Sequence, residues 1–123
     1  MIILGIDPGL RICGYAVIRS GISGTDLLEA GTVRADPQAE LACRLSQIAE
    51  DIDKILEVSN PNIVAVEQLY SHYAHPRTAI LMGHARGVIL QRAGAIDVKV
   101  VDYSATKIKK SLTGNGRATK QQM

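Results

Sequence analysis

Short apolar stretches alternate with polar breaks along the chain, and their periods change partway. Residues 2–6 are almost wholly apolar and end in Asp7-Pro8-Gly9. Pro8 suits the second position of a turn and Gly9 accepts positive φ at the third. A residue before proline is held extended, so Asp7 should close a strand. Residues 12–18 return as its hairpin partner, residues 21–24 make a turn, and residues 27–33 form a third, weaker strand. Asp36-Pro37 predicts a helix start, with a capping carboxylate followed by proline at the first helical position. Leu41, Leu45, Ile48, Ile52, Ile55 and Leu56 then recur at helical spacing, with Glu40, Glu50, Asp53 and Glu57 around the other side. Ser59-Asn60-Pro61 ends that helix.

The run Ile63-Val64-Ala65-Val66 is β-branched at three of its four positions, which suits a strand of a parallel sheet buried on both faces. It ends in Glu67. A polar loop with two Tyr and two His spans residues 70–77. Residues 78–93 then read as a helix that is apolar over most of its circumference, with Ala79, Gly83 and Gly87 on one stripe. Residues 98–101 form a further strand and residues 104–112 a short basic helix. Gly114-Asn115-Gly116 is a turn, and residues 117–123 begin another helix. The expected architecture is α/β: a mixed sheet of three antiparallel and two parallel strands, flanked by helices, in one domain spanning 1–123. A chain ending as a helix begins is expected to be C-terminally incomplete.

Composition narrows this picture. The 123 residues are 46% hydrophobic and 21% charged, which excludes a disordered chain, and two cysteines exclude a disulfide scaffold. With no Phe and no Trp, the core must be aliphatic. No apolar run approaches the roughly 20 residues of a membrane helix, and residues 1–7 lack the pattern of a signal peptide. The expected setting is the cytoplasm, with Cys13 and Cys43 as free thiols. Residues 1–98 carry 8 Lys/Arg against 11 Asp/Glu, whereas residues 99–123 carry 6 against Asp102 alone. A basic end on a near-neutral body fits an anionic partner such as a nucleic-acid backbone, and equally fits a solvated helix face.

Asp7 and Glu67 carry the first candidate chemistry. If their strands are parallel neighbours, both carboxylates emerge at the carboxyl edge of the sheet, where open α/β sheets place ligands. At ~5 Å they would repel by about 3 kcal/mol at an effective dielectric of 20, so they would share a proton or bind a cation. Oxygen ligands without Cys favour Mg²⁺ or Mn²⁺, and Mg²⁺ favours phosphate chemistry. The alternative is that each acid closes its strand in solvent. The Asp-x-Gly pattern at residues 7–9 is shared with sugar kinases and actin-like ATPases, but those need two such domains. His72, His75 and His84 lack a helical His-Glu-x-x-His arrangement, and a loop tolerates two His without a metal. Cys13 and Cys43 lack the surroundings of a nucleophile. Tyr70 either stacks on a base or covers the sheet edge.

The chain resembles the RuvC-type Holliday-junction resolvases of the ribonuclease-H-like superfamily. The resemblance rests on Leu4-Gly5-Ile6-Asp7-Pro8-Gly9 with Gly14-Tyr15, on Val66-Glu67-Gln68, on Gly83-His84-Ala85-Arg86-Gly87, and on residues 107–122. It covers essentially the whole chain. It implies a ribonuclease-H-like fold lacking its C-terminal helix, and a homodimeric, Mg²⁺-dependent endonuclease, with Mn²⁺ as a substitute, that nicks a four-way DNA junction symmetrically. By the same resemblance Asp7 and Glu67 are catalytic and metal-binding. Tyr70 falls at the aromatic inserted at the junction centre, and Lys109, Arg117 and Lys120 fall in the DNA-binding stretch. A branch-migration motor complex is the implied partner, and two further metal-binding residues would lie beyond residue 123. Two departures stand out. His84 replaces a Gln common in the family, and residues 71–76 are rich in His. The alternatives carried beside this reading are a non-catalytic junction-binding module and a related nuclease acting on RNA.

Overall fold

A computed structural model describes residues 1–69 and 76–104. The run after Met1 becomes β1 (Ile2–Asp7), which pairs antiparallel with β2 (Ile12–Gly21), and β2 pairs antiparallel with β3 (Gly24–Arg34). After α1 (Leu41–Ser59), β4 (Ile63–Glu67) inserts parallel to β1. Then α2 (Pro76–Ala95) leads to β5 (Lys99–Tyr103), parallel to β4. The sheet order is β3-β2-β1-β4-β5. This is the mixed sheet expected, with β1 and β4 as central neighbours.

Both helices cover one face. Ile48, Ile52 and Leu56 of α1, spaced one turn apart, are buried in one cluster with Ala85, Ile89 and Ala93 of α2. Leu4 and Ile6 of β1, Cys13 and Val17 of β2, and Val64 and Val66 of β4 complete that cluster. Because strand side chains alternate, Ile3, Gly5 and Asp7 point to the other face, as do Ile63, Ala65 and Glu67. A bidentate pair joins the helices across their outer surface, with Arg92 Nε 2.7 Å from Asp53 Oδ1 and a terminal guanidinium nitrogen 2.9 Å from Oδ2.

The ends of β1 and β4 are fastened together. The Ile2 amide donates to the Asn62 side-chain oxygen at 2.7 Å, and the Asn62 amide donates to the Ile2 carbonyl at 2.8 Å. Asn60 ends α1 in the left-handed region (φ 43°), its amide returning to the Leu56 carbonyl at 2.9 Å, before Pro61. This is the stop expected of Ser59-Asn60-Pro61.

Several boundaries differ from expectation: β2 runs on past residue 18 to Gly21, and α2 spans Pro76–Ala95 rather than 78–93, taking Pro76 and Arg77 from the expected loop. Asp36-Pro37 does not start α1, whose first residue is Leu41. The Asp36 carboxylate instead accepts the Gln38 amide at 2.9 Å, and its carbonyl accepts the Ala39 amide at 3.2 Å, so the capping signal closes a separate turn. β3 is longer than residues 27–33, and its outer part is exposed on both sides, so no alternation in the sequence marks it. β5 begins at Lys99 and reaches Tyr103, placing Asp102 within the strand. The loop at 70–75, the remainder of the basic helix expected at 104–112, the turn at 114–116 and the last turns at 117–123 lie outside the described residues.

Ile52 is 1% exposed at the centre of the helix–sheet contact. Ile52→Ala should destabilise the fold by about 2–5 kcal/mol, the range for emptying a core site. Val58→Ala, at a position 80% exposed, should shift urea unfolding by no more than about 0.5 kcal/mol. Equal unfolding midpoints for the two variants would contradict this packing.

Candidate active site

The β1–β4 register runs from Ile3 opposite Ile63 to Ile6 opposite Val66. The next residues on the two strands are Asp7 and Glu67, so the two carboxylates leave the carboxyl edge side by side. They lie on the sheet face away from α1 and α2. Gly14 is paired with Asp7 on one side, and Tyr103 with Glu67 on the other. Without a Cβ at Gly14, the flank of Asp7 stays open. Asp7 is exposed and Glu67 half-buried.

The turn after Asp7 is held from below. Buried Cys13 donates its thiol proton to the Gly9 carbonyl at 2.9 Å, and the Gly9 amide approaches the same sulfur at 3.4 Å. Burial pushes the Cys13 thiol up, and the charge of Asp7 adds to it, so the group stays a neutral donor. Gly9 is needed for closeness. A Cβ there would sit 2.2 Å from the Ile12 carbonyl oxygen. It does not take the positive φ expected of it, since Gly24 (φ 123°) is the glycine with that conformation among the described residues.

Arg86 braces the other acid. From α2 its Nε donates to the Glu67 carbonyl at 3.2 Å, and its terminal nitrogen bonds the Asp102 carboxylate. The Gln68 amide donates to the Tyr103 carbonyl at 2.8 Å, extending the β4–β5 ladder past the acid. Asp102 pairs with Val66 in the sheet and so faces the helices, engaged by Arg86 and turned away from Asp7 and Glu67.

Two neighbouring carboxylates without nitrogen or sulfur ligands form the donor set of a hard divalent cation. Mg²⁺ in particular accepts one or two carboxylates and keeps its other positions for water and phosphate oxygens. Among the described residues no three His, Cys, Asp or Glu side chains gather into a metal-binding group. Asp7 and Glu67 are the carboxylates that the β1–β4 register brings side by side at this edge. His84 is exposed on α2. Tyr70, His72, His75, Lys109, Arg117 and Lys120 fall outside the described residues.

Sequence reasoning missed Tyr103 and Arg86 as neighbours of the acids. Extending the alternation of residues 98–101 by two residues would have placed Tyr103 beside Glu67. No spacing rule links Arg86 to Glu67, because that contact depends on how α2 crosses the sheet.

A sequence model of the family described as crossover junction endodeoxyribonuclease RuvC matches residues 3–123. The crossover junction endodeoxyribonuclease RuvC of Rhodopirellula baltica is 48% identical over 121 residues, covering 98% of this chain and 68% of that protein. That of Legionella pneumophila (strain Corby) is 39% identical over 122 residues, covering 99% and 70%. Among solved structures, Thermus thermophilus RuvC in complex with a Holliday junction substrate superposes with a TM-score of 0.88 at 31% identity, covering 99% of this chain and 74% of that one.

Tyr103 reports on the acid pair. Burial raises its phenol above the usual tyrosine value, and the charges of Glu67 and then Asp7 raise it further. A proton held more tightly in the folded state adds stability that is present below the unfolded pKa near 10 and is lost as pH rises through the folded value. Glu67→Gln should therefore move the Tyr103 transition toward lower pH, and Asp7→Asn should move it less. Absorbance titration at alkaline pH, referenced to Tyr103→Phe, measures both shifts. An unmoved transition in both variants would remove Tyr103 from the neighbourhood of the acids.

Proposed function

Because the chain belongs to the RuvC family of crossover junction endodeoxyribonucleases, we propose that it resolves four-way DNA junctions by paired, symmetric nicks, with Asp7 and Glu67 as its catalytic carboxylates. The observation that supports these roles is the shared register of β1 and β4, which sends both acids out at one edge of the sheet. Mg²⁺ is the cation we assign to them, with Mn²⁺ as a substitute. When bound, the cation would polarise the scissile phosphate and make a water nucleophilic at neutral pH.

The chain's own residues do the rest. Asp7 and Glu67 would hold that cation and, as acceptors only, orient a water through its protons. Arg86 keeps Glu67 in place by holding the carbonyl of that residue and the neighbouring strand. Half-buried Tyr103 covers one side of Glu67, and Gly14 leaves the approach to Asp7 clear. Lys109, Arg117 and Lys120 are assigned to backbone phosphates, with Lys120 also offsetting charge that develops in the transition state. Tyr70 is assigned to stacking at the junction centre.

We also assign a cytoplasmic homodimer working with a branch-migration motor, since symmetric nicking needs two copies of the site. Of the small-residue stripe Ala79, Gly83 and Gly87 expected at a twofold contact, we assign that contact to the open end at Gly87, with exposed Ile80 and His84 beside it. Gly83, expected on the same stripe, has the Leu69 side chain 3.5 Å from where a Cβ would lie. It therefore packs within the chain. Among the described residues no helix is long and apolar enough to cross a membrane.

A labelled synthetic four-way junction tests the roles of the acids. In the intact protein with Mg²⁺, Asp7→Asn and Glu67→Gln should each abolish nicking, a larger loss than the roughly 10–100-fold typical of changes to a ligand's outer partners. Both variants should still bind the junction, since losing a carboxylate relieves repulsion with phosphate. Nicking at the wild-type rate by either variant would overturn the assignment.

The basic end has its own signature. If Lys109 and Lys120 neutralise phosphates, each substitution by Ala should flatten the log–log salt dependence of junction binding by about 1, whatever the base sequence. Tyr70→Ala should weaken opening of the junction centre, with stacking worth about 1–3 kcal/mol per base, and leave the salt slope unchanged. Wild-type slopes in both lysine variants would mean a solvated basic face.

A further inference from the structure

Four arginines outside the acid pair crowd the same edge of the sheet. The residue 8–12 turn and the first turns of α1 and α2 flank an open cavity of about 640 Å³. Arg11, Arg44 and Arg77 line it, above a floor that includes Leu10, Leu81 and Met82. No Asp or Glu is among its lining residues. A second hollow of about 600 Å³ adjoins it through Arg11, Ile12 and Pro37, and adds Arg34. The carboxylate there, Asp36, accepts the Gln38 amide.

Like Arg19 on β2, these arginines differ from Arg86 and Arg92. Arg86 and Arg92 each hold a carboxylate. Among the described residues, Arg11, Arg34, Arg44 and Arg77 form no ion pair. The Nε of Arg44 is moreover buried without a hydrogen-bond partner. A buried donor left unpaired is costly, and like charges gathered without a counter-charge add repulsion. An anion between these arginines relieves the second cost, while the Arg44 Nε itself is shielded from that space. Guanidinium groups suit a phosphate in particular, because their planar fork matches two of its oxygens. The apolar floor suits the carbon side of an attached sugar. The cavity size lies within the range of small-ligand sites.

We propose that the cavity lined by Arg11, Arg44 and Arg77 is a phosphate-binding subsite that takes one backbone phosphodiester of the junction DNA away from the scissile bond. The source of the phosphate rests on the resolvase reading, whereas a site for free phosphate would share the same chemistry. Arg11 lies four residues after Asp7 in the turn that leaves the same sheet edge. The cavity, however, is on the helix side and the acids are on the other. A strand held at both places would cross the edge, so this subsite sets where along the backbone the acids act.

The experiment is junction binding without divalent cation, which takes cleavage out of the readout. Wild type is compared with Arg44→Ala, Arg44→Lys and Arg11→Ala, the last at an exposed position where folding is not in question. The expected result is about a tenfold or greater loss of affinity for Arg44→Ala, as for a lost charged hydrogen bond. Its salt slope should flatten by about 1. Arg44→Lys should keep the slope and lose part of the affinity. Junctions carrying single neutral methylphosphonate linkages supply the sharper test. One position should weaken wild type and leave Arg44→Ala unaffected.

Wild-type affinity and slope in both Ala variants would overturn the proposal, as would equal losses in wild type and Arg44→Ala at every neutral linkage. A wild-type protein that does not prefer a four-way junction to duplex DNA would instead overturn the resolvase reading. If inorganic phosphate then raises the melting temperature of wild type but not of Arg44→Ala, the cavity is a free-phosphate site and the assignment to DNA is overturned.

Discussion

The parallel pairing of β1 with β4, Ile6 opposite Val66, is the constraint on which the site depends. Strand side chains alternate with a period of two, so a slip of one residue would turn Asp7 or Glu67 to the opposite face. The buried faces resist such a slip, because it would carry Leu4 and Ile6 out of the core. The Asn62–Ile2 clamp resists it too, since both of its hydrogen bonds exist at one offset only. The geometry of two carboxylates at one end of the strands is thus decided partly by an amide at the other end.

From that pairing follows a division of charge. β1, β3 and β4 all finish at one edge, and α1 and α2 begin there, so the residues after each strand and before each helix meet. Alternation sends Asp7 and Glu67 to the open face. The turns and helix starts place Arg11, Arg44 and Arg77 on the covered one. The buried Cys13–Gly9 contact keeps the turn between the two groups in a single shape. Acids and arginines are thereby close along the chain without neutralising each other.

Much of this was legible because it depends on period. The strands ending in Asp7 and Glu67, the one-turn spacing of Ile48, Ile52 and Leu56, and the stop at Asn60 are local patterns with tertiary consequences. What escaped reading was of another kind. Asp36 offers the same capping signal whether its carboxylate serves a helix or a separate turn, and packing of the 35–40 segment chose the turn. Gly9 was expected for its φ, but the close approach of a carbonyl three residues later is what requires it. Tyr103 and Arg86 reach the acids through strand pairing and helix crossing, which join residues far apart in sequence. Tyr70 was singled out by its loop position and Lys109, Arg117 and Lys120 by the basic end, their roles were fixed by family likeness, and the described residues do not include them.

The distance along the chain between β1 and β4 has a consequence for how the protein is made. Their contacts join residues 60 apart in sequence, whereas β1, β2 and β3 can pair as successive hairpins as soon as they leave the ribosome. A nascent chain can thus carry a formed hairpin with Asp7 in place while Glu67 has yet to be translated. The two acids become neighbours only when a helix and a further strand have been added and docked. Until then an incomplete chain presents one carboxylate, and the pair arises together with the core that fixes it.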